Sequence, residues 1–167
     1  MKISNHFTLD EFVNSDTAKR EGYIEQYNPP QNIIDNLSLL AKKVADPIRE
    51  QFGSWSPTCS YRCPRLNSHK TIKGASKSLH LTGQAFDETF IKNGKNISAE
   101  VFFWLLKSKV EWTKIIWEMG DYNTPRWLHI EHVPGAKKAI FYTFDKKSYP
   151  QYLGSEMHKG HQKLGLI

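Results

Sequence analysis

The sequence contains little cysteine. Cys59 and Cys63 are its two cysteines, and they stand four positions apart in TCSYRCP. Three interpretations of the pair are open: half of a zinc site, a local disulfide, or two ordinary buried thiols. Because a second pair is absent, a four-cysteine zinc site is excluded, and ordinary thiols without a function are the favoured interpretation.

Long apolar segments and internal repeats are also missing. No window approaches the roughly 18 apolar residues that a membrane-spanning helix needs. The N-terminal segment MKISNHFTLDEF has one lysine and no apolar run before its acidic residues. We therefore expect neither a membrane span nor a secretory signal.

The residues that are abundant indicate a folded, basic protein. Hydrophobic residues make up 39% and aromatic residues 13% of the 167 positions, which excludes a disordered chain and fits one domain. The net charge is +6, from 23 Lys and Arg against 17 Asp and Glu. It favours an anionic partner such as nucleic acid, a membrane surface or a wall polymer, although an ordinary basic surface explains it equally well.

The first half of the chain has two helical patterns. Thr8 and Glu11 form a capping-box pattern that predicts a short helix from about Leu9 to Lys19. Apolar residues then recur at helical spacing and predict the main core helix, which starts near Pro30 and ends at Gly53. Pro47 lies inside this pattern and predicts a bend or a split.

The remaining elements predict an α+β domain. A short strand near Thr58 to Tyr61 precedes a long surface loop, and GQAFDETFI reads as a strand with Asp87 on the face opposite its phenylalanines. NISAEVFFWLLKSKV predicts a second buried helix capped at Ser98. TKIIWEMG and RWLHIEHV predict an antiparallel pair, to which AKKAIFYTF adds a strand. The segment 145–167 reads as a basic polar C-terminal extension after a domain over residues 1–144.

The stretch SKSLHLTGQAFDETF contains candidate metal ligands. His80 stands on a loop, Gly83 permits a tight turn, and Asp87 lies on the strand that follows, so both side chains can converge on one ion. Strand alternation places His129 on one face with Trp127 and Glu131 and offers a third ligand, while His132 points the other way. On the spacing alone, a histidine hydrogen-bonded to a carboxylate at a turn is the favoured interpretation.

Several segments resemble one enzyme family. SKSLHLTGQAFD resembles the SxHxxGxAxD signature of the zinc D-alanyl-D-alanine peptidases, the M15 family. TCSYRCPRLN is similar to the family's SGYRSxxLN segment, and IIWEMG before RWLHI resembles its E…WVH segment. The segments FTLDEFVNSDTAKREG and PIREQFG resemble a short, cell-wall-directed branch that is often found in phages. The resemblance spans about Phe7 to Ile130.

The resemblance implies a set of site residues. His80, Asp87 and His129 would bind one zinc ion, and Arg62 and Ser78 would contact the substrate. Arg62 would also steady the developing oxyanion. Many members have a carboxylate three residues before the last histidine, where this chain has Arg126. Glu118, which matches a glutamate of the short branch, is therefore the predicted base, and Glu131 is the second choice.

The implied function is hydrolysis of bacterial cell wall. A monomeric peptidase with a hedgehog/DD-peptidase-like α+β fold, in which helices flank a central antiparallel sheet, would cut stem or cross-bridge peptides of peptidoglycan as a carboxypeptidase or an endopeptidase. As a phage lysin it would stay in the host cytoplasm until a partner's membrane pore releases it to the wall, or it would be virion-associated. The alternatives are a catalytically silent metal-bearing module for wall binding or virion structure and, ranked last, a nucleic-acid-binding protein.

Overall fold

The computed structural model describes residues 1–121 and 123–143 and confirms the α+β class. The chain divides into two compact units, Met1–Asp87 and a second that begins at Glu88. Among the described residues, the α-helices are α1 (Leu9–Val13), α2 (Asp16–Glu21), α3 (Gln31–Leu40), α4 (Asp46–Phe52), α5 (Pro64–Ser68) and α6 (Ser98–Lys107), and a 3₁₀ helix covers Ile24–Gln26. The strands are β1 (Ala85–Glu88), β2 (Ile91–Lys92), β3 (Lys95–Asn96), β4 (Lys114–Gly120), β5 (Pro125–Glu131) and β6 (Ala139–Thr143).

The first predicted helix is in fact two helices. The capping box is present, since the Thr8 backbone N–H donates to Glu11 Oε2 at 2.9 Å. The prediction of one helix to Lys19 is wrong because the chain is extended at Asn14 and Ser15. Ser15 then starts α2, where its Oγ accepts a hydrogen bond from the Ala18 backbone N–H at 3.2 Å.

The predicted core helix is split, as Pro47 indicates. A π-helical turn over Ala41–Ala45 joins α3 to α4, and the Asp46 N–H donates to the carbonyl of Ala41. Pro47 has no N–H, and in a regular α-helix its ring would collide with the carbonyl of Lys43, so the wider turn accommodates it. Gly53 ends α4 with a φ of 96°.

The segment between α4 and β1 differs from its prediction. The strand expected at Thr58 to Tyr61 is reduced to one antiparallel bridge, which pairs Cys59 with Asp87. The expected surface loop contains α5, which starts at Pro64. The strand β1 is confirmed, with Phe86 fully buried and Asp87 partly exposed.

The second unit begins with a hairpin that was not predicted. Strands β2 and β3 pair antiparallel around Asn93 and Gly94, both of which have positive φ angles of 50° and 76°. The buried helix α6 follows. Its predicted cap is off by one position, because Ile97 precedes the first helical residue, Ser98. The Ser98 hydroxyl instead accepts a hydrogen bond from the Phe90 N–H at 3.0 Å.

The sheet of the second unit is mixed, so the predicted central antiparallel sheet is confirmed for one pairing of β4 and corrected for the other. Strand β4 pairs antiparallel with β5, as predicted, and parallel with β6 on its other edge. Lys114, the first residue of β4, pairs with both Glu131 and Ala139. Residues 132–138 therefore form a short connection past the N-terminal end of β4, after which β6 lies parallel to β4. Trp117 is fully buried, with its ring 5.2 Å from Phe102 and 6.0 Å from Tyr142, so it belongs to the core.

Two sequence predictions concern other parts of the chain. The predicted C-terminal extension, residues 145–167, lies outside the described residues. Among the residues that the structure describes, no helix has the length and apolar character required to cross a membrane.

Candidate metal centre

Gly83 shapes the loop that carries the candidate ligands. His80 lies in a 3₁₀ turn over Leu79–Thr82, and Asp87 lies on β1. Gly83 ends the turn with a φ of 68°, in the left-handed region. A Cβ atom there would lie 2.9 Å from Leu37 Cγ and 3.0 Å from the Ile33 carbonyl oxygen. The glycine is therefore required both by the backbone conformation and by the close approach of the loop to α3.

His80 is held in one orientation. Its ring is buried, and its Nδ1 lies 2.7 Å from the carbonyl oxygen of Ser60. A carbonyl only accepts, so Nδ1 carries a proton, and Nε2 is the nitrogen that is available to a metal ion. Nε2 lies 3.2 Å from Asp87 Oδ2. The fixed tautomer is the one that a metal-binding histidine needs.

Cys59 joins His80 and Asp87 in the structure. One potential ligand atom from each of these three residues lies within 4.8 Å of the others. Burial and the charge of Asp87, partly offset by Arg62, raise the pKa of the Cys59 thiol to about 12. Neither cysteine forms a disulfide, and Cys63 is fully buried. Sequence reasoning gave Cys59 no function, because the strand pairing that brings it to Asp87 leaves no signal in local spacing.

Arg62 lies beside the same group. Its Nη2 is 3.7 Å from Asp87 Oδ2, and its backbone N–H donates to the carbonyl of His80 at 3.0 Å. Gln26, fully buried, holds the residues on either side of Arg62. Its Nε2 donates to the Tyr61 carbonyl and its Oε1 accepts from the Cys63 N–H, both at 2.8 Å. A permanent cation is thus fixed next to the candidate ligands.

Ser78 has a structural contact in this segment. It is the N-cap residue of the 3₁₀ turn, and its Oγ accepts a hydrogen bond from the His80 N–H at 3.4 Å. It is partly exposed. The predicted substrate contact of Ser78 stays a prediction.

The other predicted site residues belong to the second unit. His129 and Glu131 lie on one face of β5, as alternation predicts, with His129 Nε2 3.0 Å from Glu131 Oε1. Lys114 Nζ also lies 3.0 Å from the Glu131 carboxylate. Burial raises the pKa of Glu131, but hydrogen bonds and charges from His129 and Lys114 outweigh it and lower the pKa. Glu118 on β4 is partly exposed.

The donors in the first unit fit a divalent transition metal. Ligands of a tetrahedral zinc ion at normal bond lengths lie about 3.3–3.8 Å apart. The 3.2 Å between His80 Nε2 and Asp87 Oδ2 is close to this spacing. Imidazole, carboxylate and thiolate are all zinc ligands. The residues present therefore match the chemistry of such an ion.

A comparison with family models identifies the class of protein. Residues 5–131 match the model described as Peptidase M15. The protein is thus a metal-dependent peptidase, which is a hydrolase of peptide bonds. Because the match covers most of the chain, the chain belongs to the peptidase M15 family. Comparisons with curated proteins and with solved structures give no match.

Proposed function

We propose that the protein is a zinc peptidase of the short phage-type branch, with the hedgehog/DD-peptidase fold, that hydrolyses stem or cross-bridge peptides of peptidoglycan. The observation that carries this proposal is the His80–Asp87 pair, with a fixed histidine tautomer and a 3.2 Å separation, in a chain of the M15 family. A lysin or a virion-associated protein is the corresponding biological role.

The proposed ligands of the zinc ion are His80, Asp87 and His129. The ionised Glu131 carboxylate accepts the proton of His129 Nε2, which leaves Nδ1 as the nitrogen with a lone pair. A carboxylate in this position fixes the ring and raises its basicity as a ligand. Glu131 is then a positioning residue for His129.

Glu118 is the better candidate for the general base. In the register of β4 and β5, Glu118 pairs with Trp127 while Ile116 pairs with His129, so Glu118 and His129 are diagonal neighbours on one sheet face. Glu131 is less suited, because its lowered pKa weakens it as a base and Lys114 already compensates its charge. We therefore assign proton transfer to Glu118.

Glu118, Arg62 and Ser78 have further roles in the proposed reaction. When bound, zinc supplies a Lewis acid for the scissile carbonyl and for the attacking water. Glu118 accepts a proton from this water and returns it to the departing amine. Arg62 donates hydrogen bonds to the substrate or to its developing oxyanion, and Ser78 binds the substrate.

The whole chain suits a wall substrate. Its net charge of +6 favours an anionic envelope, and we propose that it acts as a monomer. As a lysin, it would reach the wall from the host cytoplasm through a pore made by a partner protein.

Two substitutions test the proposal. His80→Ala should abolish zinc binding and turnover together, because it removes a ligand. Glu118→Gln should keep the zinc and lower turnover about 10²–10⁴-fold, the usual contribution of a general base. Zinc per chain and release of amino groups from purified peptidoglycan, before and after chelation, measure both effects.

Controls and contrary outcomes are available in the same assay. His6→Ala removes an exposed imidazole and Glu100→Gln removes an exposed charge, and both variants should leave the two readouts unchanged. If Glu118→Gln stays fully active, the assignment of the base is wrong. Stoichiometric zinc without release on several wall types would favour the silent binding module, for which the exposed Arg126 in place of a family carboxylate is the supporting observation.

A further inference from the structure

Cys59 and Asp87 are direct partners across two extended segments. The Asp87 N–H donates to the Cys59 carbonyl at 2.7 Å, and the Cys59 N–H donates back to the Asp87 carbonyl at 3.3 Å. Residues that exchange both hydrogen bonds in an antiparallel pair have their side chains on the same side. The backbone therefore directs the thiol and the carboxylate to one side.

The same segment also positions His80. The residue after Cys59, Ser60, accepts the His80 Nδ1 proton on its carbonyl, and its hydroxyl donates to the Ala85 carbonyl at 2.9 Å. The donor atoms of Cys59, His80 and Asp87 consequently come within 4.8 Å of one another. Small side-chain movements are enough to bring these donor atoms to the separation of about 3.3–3.8 Å between zinc ligands.

The charges of the group suit a divalent cation. A thiolate and the Asp87 carboxylate carry two negative charges, and Arg62, 3.7 Å from Asp87, carries one positive charge. A divalent ion would neutralise the two anionic donors and compensate the cost of burying them. The other cysteine, Cys63, is fully buried and is not part of this group.

We infer that Cys59 is a metal ligand, so that residues 59–87 form a Cys–His–Asp site for a thiophilic divalent ion. The inference rests on the proposed function only for a metal ion bound by His80 and Asp87. It does not require that His129 is a ligand or that the protein turns over substrate. A thiolate ligand selects zinc and similar ions over magnesium, calcium and manganese, which prefer oxygen. The inference therefore defines the class of metal.

Cobalt(II) titration of the purified full chain tests the inference. Bound cobalt gives visible ligand-field bands, and a thiolate ligand adds a charge-transfer band in the near ultraviolet. We expect both bands in the wild-type protein and in Cys63→Ala. In Cys59→Ser the charge-transfer band should be lost, and cobalt affinity should fall more than about tenfold, since even an outer partner of a ligand contributes about 10–100-fold.

The outcomes separate the two proposals. Visible bands without the charge-transfer band in the wild-type protein would overturn the role of Cys59 and leave the metallopeptidase proposal intact. No cobalt uptake would overturn both. A charge-transfer band in a protein that releases no amino groups from peptidoglycan would support Cys59 as a ligand and refute the proposed hydrolysis of wall peptides.

A measurement on the wild-type protein avoids any folding defect of the variants. X-ray absorption at the zinc edge of the zinc-loaded wild-type protein should show a sulfur atom bound to the ion at about 2.3 Å, the usual zinc–thiolate distance. Only nitrogen and oxygen neighbours around the ion, in protein shown to bind zinc, would overturn the inference.

Discussion

Gln26 is the residue that connects the N-terminal helices to the site. Besides its bonds to Tyr61 and Cys63, its Nε2 donates to the Val13 carbonyl at 2.8 Å. All three bonds are buried, and those to Tyr61 and Cys63 fix the backbone on both sides of Arg62. A polar side chain without any exposed surface is thus explained by the loop that it holds.

Replacement of Gln26 should therefore destabilise the protein. In Gln26→Leu, three buried backbone groups lose their partner, and at about 1 kcal/mol for each bond the free energy of unfolding should fall by about 2–4 kcal/mol. Urea unfolding measures the change. The matched control is Gln31→Leu on the surface of α3, where the side chain donates an exposed hydrogen bond to Asp35 at 2.8 Å. Equal stability of the two variants would contradict the role of Gln26.

The site residues differ in how far sequence predicts them. His80 and Asp87 stand in one short motif, and the structure brings them together. Cys59 was missed because its proximity depends on the pairing of two distant segments. The roles of Glu118 and His129 stay predictions.

At the scale of elements, the close packing of the loop that carries His80 against α3 depends on Gly83. The predicted motif contains this glycine, but the sequence does not reveal that the loop passes within contact distance of Ile33 and Leu37. Two separate effects oppose a side chain there: the positive φ angle and the lack of space.

Gly83→Ala and Gly22→Ala separate these effects. Both glycines have a φ of 68°, but a Cβ at Gly22 meets nothing within 4 Å. Gly22→Ala should lower the free energy of unfolding by about 1–2 kcal/mol, the cost of left-handed backbone. Gly83→Ala should lower it by about 1–3 kcal/mol more, because of overpacking. Thermal or denaturant unfolding of both variants measures the difference, and equal losses would show that close packing at Gly83 is unimportant.

The elements show where local signals suffice. Capping residues, Pro47 and the apolar periodicity predicted most helices and strands. Ser15 and the Asn93–Gly94 pair carried signals for a second helix and a hairpin, respectively, which were overlooked. The placement of β6 could not be predicted, since alternation shows that a segment is a strand but not which strand it pairs with.

At the scale of the whole molecule, metal binding and folding should be linked. A ligand that binds the folded chain alone raises its stability, by about 2.7 kcal/mol at a concentration one hundred times the dissociation constant. The unfolding midpoint should therefore rise with added zinc and fall with a chelator. His80→Ala should lose this response while His6→Ala keeps it, as thermal unfolding at several zinc concentrations would show. A zinc response that survives in His80→Ala would place the metal elsewhere.

The central position of β4 has a consequence for amide hydrogen exchange. Because β4 is paired on both edges, its amide protons exchange with solvent only when the sheet opens, whereas those of an edge strand also exchange by local fraying. The rate of deuterium uptake at Ile115 to Trp117 therefore reports how often the sheet of the second unit opens.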